Sequence, residues 1–144
     1  MKSGGRGLAR WASAESLWIF PVAGTCCAQE SLHVESCRYD LERLGCVFQD
    51  QPEHADLLLV MGVVPETLAT ELKAIYDRMR TPKYVMALGA CACSGGLFAA
   101  RGLDAILPVD LFVPGCPPRP EAIMHGILKL KASIRGHEES HPAH

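Results

Sequence analysis

Cysteine is the residue type most able to do chemistry in this chain, which has seven of them among 144 residues. Two are adjacent in the stretch GTCCAQE, and the full set is Cys26, Cys27, Cys37, Cys46, Cys91, Cys93 and Cys116. The thiolate form of cysteine is both a nucleophile and a metal ligand. An odd number of cysteines in a chain that shows no export signal argues against a disulfide scaffold. It favours metal binding or redox chemistry.

Short apolar runs alternate with amphipathic stretches along the chain, and this alternation predicts an α/β fold. Strands are predicted at 16–24, 55–62, 84–89 and 107–115, with a further short one at 46–48. Helices are predicted at 29–45, 66–80 and 119–134. Apolar strands separated by helices form parallel sheets that are covered on both faces. We therefore expect one three-layer, flavodoxin-like domain whose mostly parallel sheet has about four strands flanked by helices.

The two ends of the chain differ in composition from the rest. Residues 1–10 are Gly-rich and basic, and residues 136–144 are polar. We expect both to be flexible tails, so that the folded domain spans residues 11–135.

Charge and hydropathy exclude several classes of function. The formal net charge is −2 and no basic stripe occurs, which argues against a nucleic-acid partner. No run approaches the roughly 20 apolar residues of a membrane-spanning helix. The chain contains neither a Gly-x-x-x-x-Gly-Lys-Ser/Thr phosphate loop nor a Gly-x-Gly-x-x-Gly dinucleotide motif. We therefore expect no nicotinamide or flavin site in this chain.

Four of the cysteines follow predicted strands. Cys26 and Cys27 come after the first strand, Cys91 after the strand at 84–89, and Cys116 after the strand at 107–115. The carboxyl ends of parallel strands share one edge of a sheet, where open α/β folds bind their ligands. The four cysteines are therefore expected to converge there. Successive side chains of an extended strand point to opposite faces, so the chain must bend at Gly24–Cys27.

Four convergent thiolates suit a tetrahedral zinc ion or an iron–sulfur centre. Structural zinc sites typically use Cys-x(2–4)-Cys pairs, whereas this chain has an adjacent pair and a Cys-x-Cys pair. An iron–sulfur cubane needs one sulfur at each of four iron corners, so it accepts ligands from scattered loops more readily. The spacing therefore favours an iron–sulfur cluster, with a zinc-stabilised adaptor as the non-redox alternative.

The remaining candidate residues also have ordinary structural explanations. Cys37 fits the apolar stripe of the helix predicted at 29–45, and Cys46 opens a short strand, so both are expected to be core residues. Cys93 is a neighbouring thiol, an alternative ligand or a bystander. Acidic and basic side chains at predicted helix ends are commonly solvated or stabilised by the helix dipole, and this applies to Glu30, Arg43, Arg119 and Glu121.

Several motifs together resemble one family, the B subunit of respiratory complex I, called PSST in mitochondria. These motifs are CCAQE (26–30), YDLERLG (39–45), ADLLLVMG (55–62), YDRMRTPKYVMALGACACSGG (76–96) and LPVDLFVPGCPPRPEA (107–122). The resemblance covers roughly residues 11–134. It implies an electron-transfer subunit that holds the terminal [4Fe–4S] cluster of the enzyme, an NADH:quinone oxidoreductase that is catalytic only as an assembly.

Within this resemblance the family's cluster ligands fall on Cys26, Cys27, Cys91 and Cys116. Its acidic residue after the tandem cysteines matches Glu30, and the arginine of its Asp-x-x-Arg-x-Gly stretch matches Arg43. The family usually has Asn or Ser at the position of Cys93, which implies that Cys93 is not a ligand. The candidate neighbours of the cluster are thus Glu30, Arg43, Cys93 and Arg119.

The resemblance also implies partners and a location. The partners are the large D (49 kDa-type) subunit, another iron–sulfur subunit of the peripheral arm and a membrane-arm subunit, with quinone near the interface. The location is peripheral, on the cytoplasmic face of the inner membrane.

Two departures from the family pattern leave an alternative open. The segment at 97–106 is shorter than is usual, and MGVVPETLA stands where AGTVTxKMA is typical. The alternative is a small electron-transfer subunit of a membrane-bound nickel–iron hydrogenase or formate hydrogenlyase. Such subunits typically have Cys-x-x-Cys where this chain has Cys26–Cys27.

Overall fold

A five-stranded parallel sheet forms the centre of the molecule in the computed structural model, which describes residues 4–98 and 101–136. Its strands are β1 (Leu17–Ala23), β2 (Cys46–Phe48), β3 (Leu57–Met61), β4 (Tyr84–Leu88) and β5 (Leu111–Val113). They lie in the order β2-β1-β3-β4-β5, and every neighbouring pair is parallel. This is the flavodoxin-like strand order. The predicted fold class is confirmed, and the strand beyond the expected four is the three-residue β2.

Helices cover both faces of the sheet and make it a three-layer structure. They are α1 (Gly4–Glu15), α2 (Cys27–Glu35), α3 (Glu66–Arg78), α4 (Ala90–Ser94) and α5 (Pro120–Gly136). The first face is covered by α1, α2 and α5, and the second by α3, α4 and short 3-10 turns. All five residues of β3 are buried, as expected for a central strand covered on both sides.

The predicted helix stripes lie in the two cores. Leu72 of α3 is fully buried, and Met79, at the C-cap of that helix, is nearly so. On the opposite face, α5 buries the four residues of its predicted stripe, Ile123, Ile127, Leu130 and Ile134. Because each helix buries one apolar stripe against the sheet, hydrophobic burial fixes the layer order.

The prediction of a tail at residues 1–10 requires correction, because α1 begins at Gly4. Long-range contacts with α5 explain the helix. The buried Lys131 donates from Nζ to the carbonyl oxygen of Glu15 (3.3 Å) and to that of Leu44. Arg135 forms an ion pair with the Glu15 carboxylate at 2.8 Å. The tail predicted at 136–144 falls outside the described residues except for Gly136, the last residue of α5.

The helix predicted at 29–45 is also wrong in its extent. α2 ends at Glu35, a turn follows, and a separate 3-10 helix covers Leu41–Leu44. Asp40 adopts a left-handed backbone conformation (φ 48°), which a continuous α-helix excludes. Cys37 is therefore exposed in the turn and is not a core residue, whereas the prediction for Cys46 is confirmed by its burial.

None of the helices within residues 4–98 and 101–136 is long and apolar enough to cross a membrane.

Neighbouring residues of α5 provide a test of this packing. Ile127 is fully buried between α5 and the sheet, whereas Leu128 is 46% exposed. We expect Ile127→Ala to lower the free energy of unfolding by about 2–5 kcal/mol, because it removes buried methyl groups and leaves a cavity. Leu128→Ala is the matched control and should change it by no more than about 0.5 kcal/mol. Urea denaturation of both variants measures the difference, and equal effects would contradict the described packing of α5.

Candidate metal centre

The tandem cysteines lie where the chain leaves the first strand and enters a helix. β1 ends at Ala23, and α2 begins at Cys27. Cys26 has helical backbone angles (φ −53°, ψ −27°) at the N-cap of α2. Adjacent side chains of a helical backbone diverge by about 100°, whereas those of a strand point to opposite faces. The expected bend is therefore present, and it leaves both thiols near the same edge of the sheet.

This turn is at the topological switch point of the sheet. β1 is flanked by β2 on one side and β3 on the other, so the chain direction across the sheet reverses here. Open α/β folds place ligands in the crevice at such a point. The amide of Gly24 donates to the carbonyl oxygen of Met61 at 2.9 Å, which holds the cysteine turn against the end of β3.

Backbone hydrogen bonds join the segments that carry the other two cysteines. The Gly89 amide donates to the Val113 carbonyl, and the Ala90 amide donates to the Gly115 carbonyl, both at 2.8 Å. Each bond connects a residue just before Cys91 to a residue just before Cys116. The turns after β4 and β5 therefore form one unit beside the Cys26–Cys27 turn.

The four thiols interact electrostatically with one another. The pKa of Cys27 is raised to about 11, chiefly by burial and also by repulsion from Cys26, Cys91 and Cys116 and a hydrogen bond with Cys26. Burial likewise raises the pKa of Cys91, with contributions from Cys116 and Cys26. The start of a helix ordinarily favours the thiolate. At Cys27 burial outweighs that effect.

Two glycines leave room for the sulfur atoms. A β-carbon on Gly89 would overlap with the Cys27 Sγ, and one on Gly96 would lie 2.9 Å from the Cys91 Sγ. Gly89 also has φ 89° and ψ 158°, a conformation adopted almost only by glycine. The absence of β-carbons at these positions lets the backbone approach the Cys27 and Cys91 sulfurs closely.

The four thiols form a donor set made of sulfur alone, and they are within electrostatic range of one another. Within residues 4–98 and 101–136, no group of three His, Cys, Asp or Glu side chains is close enough together to hold a single metal ion. Four thiolates are the donor set both of a tetrahedral zinc ion and of an iron–sulfur cluster.

Cys93 lies on the other side of the short helix α4. Side chains two positions apart on a helix diverge by about 200°, so Cys91 and Cys93 face different ways. Cys93 packs against the core of the second face, and its Sγ is 3.6 Å from the Ala87 carbonyl oxygen. Its pKa is raised by burial and does not respond to the other cysteines.

The charged candidates differ in position and exposure. Glu30 is in the first turn of α2, and its carboxylate is 3.5 Å from the His33 Nδ1. Arg43 is exposed in the 3-10 helix at Leu41–Leu44. Arg119 is exposed immediately before α5, close enough to Glu121 to stabilise its charge.

Two features near the site were not predicted from the sequence. Tyr39 donates a hydrogen bond to the Glu121 carboxylate across 82 positions of sequence, and no local pattern signals such a contact. Leu97 and Phe98, just after Gly96, are 94% and 67% exposed. Two large exposed apolar side chains in succession after a Gly-Gly pair could have been recognised as a potential contact surface.

Comparisons with known proteins agree with one another. The family model described as NADH ubiquinone oxidoreductase, 20 kDa subunit, matches residues 25–130. The B subunit of NADH-quinone oxidoreductase from Geotalea daltonii is 43% identical, over 89% of this chain and 78% of its own length. The corresponding protein of Aquifex aeolicus is 42% identical, over 89% of this chain and 74% of its own length.

A similar chain also occurs in a solved structure, that of the membrane-bound sulfane sulfur reductase, an archaeal respiratory membrane complex. The TM-score is 0.85 at 37% identity, and the match covers 92% of this chain and 77% of the other. Fold, sequence and the family model therefore give the same result: the chain belongs to the family of the 20 kDa subunit, also called the B subunit, of NADH:quinone oxidoreductase.

Proposed function

We propose that Cys26, Cys27, Cys91 and Cys116 hold one [4Fe–4S] cluster. The observation that carries the proposal is the convergence of these four thiols at one edge of the sheet, where the turns after β1, β4 and β5 contact one another. Four thiols, with no carboxylate or imidazole among them, are the donor set of such a cluster. The space that Gly89 and Gly96 leave around two of the sulfurs supports it.

The cluster supplies one-electron chemistry, and the residues of this chain bind it and set its surroundings. Cys27 and Cys91 are buried, so they hold the inner side of the cluster in an apolar environment. Cys26 and Cys116 are exposed, so the outer side faces whatever covers this edge of the sheet. Burial and hydrogen bonding to sulfur determine the reduction potential of iron–sulfur centres. The chain thus acts as an electron-transfer subunit of a larger oxidoreductase.

The covering partner is the large D (49 kDa-type) subunit, and quinone accepts the electrons near the interface. The exposed apolar pair Leu97–Phe98 beside the site supports a protein contact there. A cavity of about 330 Å³ adjoins the cysteine turn, with apolar and polar walls formed by Gly24, Val63, Pro65, Thr67, Leu68 and Glu71. A cavity of this kind supports binding of an apolar molecule with a polar head group.

The other proposed partners are a second iron–sulfur subunit of the peripheral arm, which delivers electrons, and a membrane-arm subunit. This arrangement places the chain at the cytoplasmic face of the inner membrane, held there by the complex. The relatives from Geotalea daltonii and Aquifex aeolicus, both named as components of NADH-quinone oxidoreductase, support this assignment.

A second candidate differs only in the final acceptor. The similar chain in the membrane-bound sulfane sulfur reductase supports a small electron-transfer subunit of a respiratory membrane complex that reduces sulfane sulfur. A nickel–iron hydrogenase or formate hydrogenlyase subunit is the related possibility. The identity of the large partner subunit distinguishes these candidate functions. We expect the large subunit that co-purifies with this chain to lack nickel-binding cysteine pairs and the complex to reduce quinone with NADH. Reduction of sulfane sulfur or evolution of hydrogen instead would identify the alternatives.

Individual cysteine substitutions test the ligand set. We expect Cys26→Ala, Cys27→Ala, Cys91→Ala and Cys116→Ala each to abolish the native EPR signal of the reduced cluster, because each removes one iron ligand. Cys93→Ala and Cys37→Ala are the matched controls, since Cys93 faces the other core and Cys37 is exposed in a turn. A native signal in Cys27→Ala, or its loss in Cys93→Ala, would require a different ligand set.

Substitution of a glycine tests the space around the sulfurs. Gly89→Ala should reduce iron and sulfide in the purified protein at least about tenfold. The new β-carbon overlaps with the Cys27 Sγ, and the backbone conformation alone costs alanine about 1–3 kcal/mol. Gly136→Ala is the control, because a β-carbon there meets nothing within 4 Å. Normal iron content in Gly89→Ala would show that Cys27 is not held where the structure places it.

Assembly of the cluster should depend on pH. The pKa of Cys27 is raised to about 11, so this thiol keeps its proton at neutral pH and must release it to bind iron. Because the proton competes with iron below that pKa, cluster retention should fall on acidification. Reconstitution in weakly buffered solution should release protons, which a pH-stat titration measures. Reconstitution without proton release would show that the thiols are already ionised.

A further inference from the structure

One side-chain hydrogen bond connects the chain that follows Cys26–Cys27 to the chain that follows Cys116. The Tyr39 hydroxyl donates to the Glu121 Oε1 at 2.8 Å. Tyr39 lies in the turn after α2, the helix that begins at Cys27, and Glu121 lies in the first turn of α5, shortly after Cys116. α2 and α5 pack against each other on the same face of the sheet. The bond therefore joins the turn that follows α2, and so Cys26–Cys27, to the start of α5, and so Cys116.

The surroundings of this bond keep the Glu121 carboxylate ionised, as an acceptor, and the Tyr39 phenol protonated, as a donor. The pKa of Glu121 is lowered by a hydrogen bond from its own backbone amide, then by Tyr39, with further contributions from Arg119 and Arg38. The pKa of Tyr39 is raised, chiefly by its hydrogen bond to Glu121. At neutral pH the carboxylate is therefore ionised and the phenol keeps its proton. The Arg38 guanidinium also lies 5.7 Å from the centre of the Tyr39 ring, which orients the ring.

The turn that presents Tyr39 has an unusual backbone. Asp40 is the one non-glycine residue with positive φ in the described ranges 4–98 and 101–136. The local bonds of the turn are those from the amides of Tyr39 and Asp40 to the Ser36 carbonyl, at 3.0 and 2.9 Å. A sparsely populated backbone conformation persists where surrounding contacts hold it. The Tyr39–Glu121 hydrogen bond is an exposed side-chain contact between this turn and α5.

We infer that Tyr39 and Glu121 form a positioning latch that keeps the Cys116 segment aligned with α2 and so maintains the geometry of the four-thiol site. Neither residue is a ligand or a catalytic residue. Both act through the position of Cys116 relative to Cys26 and Cys27. The inference rests on the proposed function in so far as these thiols are cluster ligands, but the latch itself is a property of the chain.

The first test uses hydrogen exchange of the full chain without the cluster. Tyr39→Phe removes the donor and Glu121→Ala the acceptor, so each should accelerate exchange about two- to tenfold in both segments, 36–44 and 116–122. Glu121→Gln keeps an acceptor oxygen and should remain close to the wild type. Tyr76→Phe, on the second face of the sheet, is the matched control. The latch is refuted if each variant accelerates exchange only in the segment that contains the substitution, or if exchange changes in neither segment.

The second test uses the assembled complex. Tyr39→Phe and Glu121→Ala should shift the EPR spectrum and the midpoint potential of the cluster, whereas Glu121→Gln and Tyr76→Phe should not. A contribution to stability alone would reduce the amount of loaded protein and leave the spectrum of the remainder unchanged. That outcome overturns the latch and leaves the proposed function intact. A wild-type complex without the cluster signal overturns the proposed function, and hydrogen exchange then still decides the latch.

Discussion

The parallel direction of the strands is the constraint on which the cysteine site depends. Because β1, β4 and β5 run the same way, the residues that follow them emerge at one edge of the sheet, although they are far apart in sequence. One reversed strand would place its cysteine at the opposite edge. The burial of apolar side chains on both faces of β3 maintains this arrangement, so the hydrophobic core also determines where the four cysteines lie.

Concentrating four thiols at this edge has an electrostatic cost. Burial and mutual repulsion disfavour the thiolate forms, as the raised pKa of Cys27 shows. The same surroundings are suited to a positively charged metal centre, which stabilises thiolates that would otherwise repel one another. The fold is therefore unfavourable for free thiolates at this edge, and the proposed cluster would remove that disadvantage by binding them. Backbone hydrogen bonds such as the one from Ala90 to Gly115 hold the cysteine-bearing segments together independently of the thiols.

The parts of the fold that follow from local pattern were predictable, and those that depend on distant contacts were not. Continuous apolar runs indicated the buried strands, and the stripe containing Ile127 indicated α5. The helix at Gly4–Glu15 was missed because its Gly-rich sequence favours no helix, and contacts with Lys131 and Arg135 stabilise it. The exposure of Cys37 was missed because the helical periodicity of the sequence continues past Glu35. The left-handed backbone of Asp40 excludes a continuous helix through residues 29–45. For the site, strand ends indicated which cysteines meet, but only the structure shows that Tyr39 reaches Glu121.

The site is closed on its inner side and open on its outer side, and this asymmetry bears on function. Cys27 and Cys91 are buried, whereas Cys26, Cys116 and the neighbouring Leu97 and Phe98 are exposed. For the proposed cluster, solvent exposure is among the determinants of the reduction potential, so whatever covers the outer side adjusts that potential. In the proposed function the chain supplies the ligands and the inner part of their environment, and the assembly supplies the rest. Under that proposal a change of partner would change the electron acceptor without changing the ligands, in keeping with the occurrence of similar chains in an NADH-quinone oxidoreductase and in a sulfane sulfur reductase.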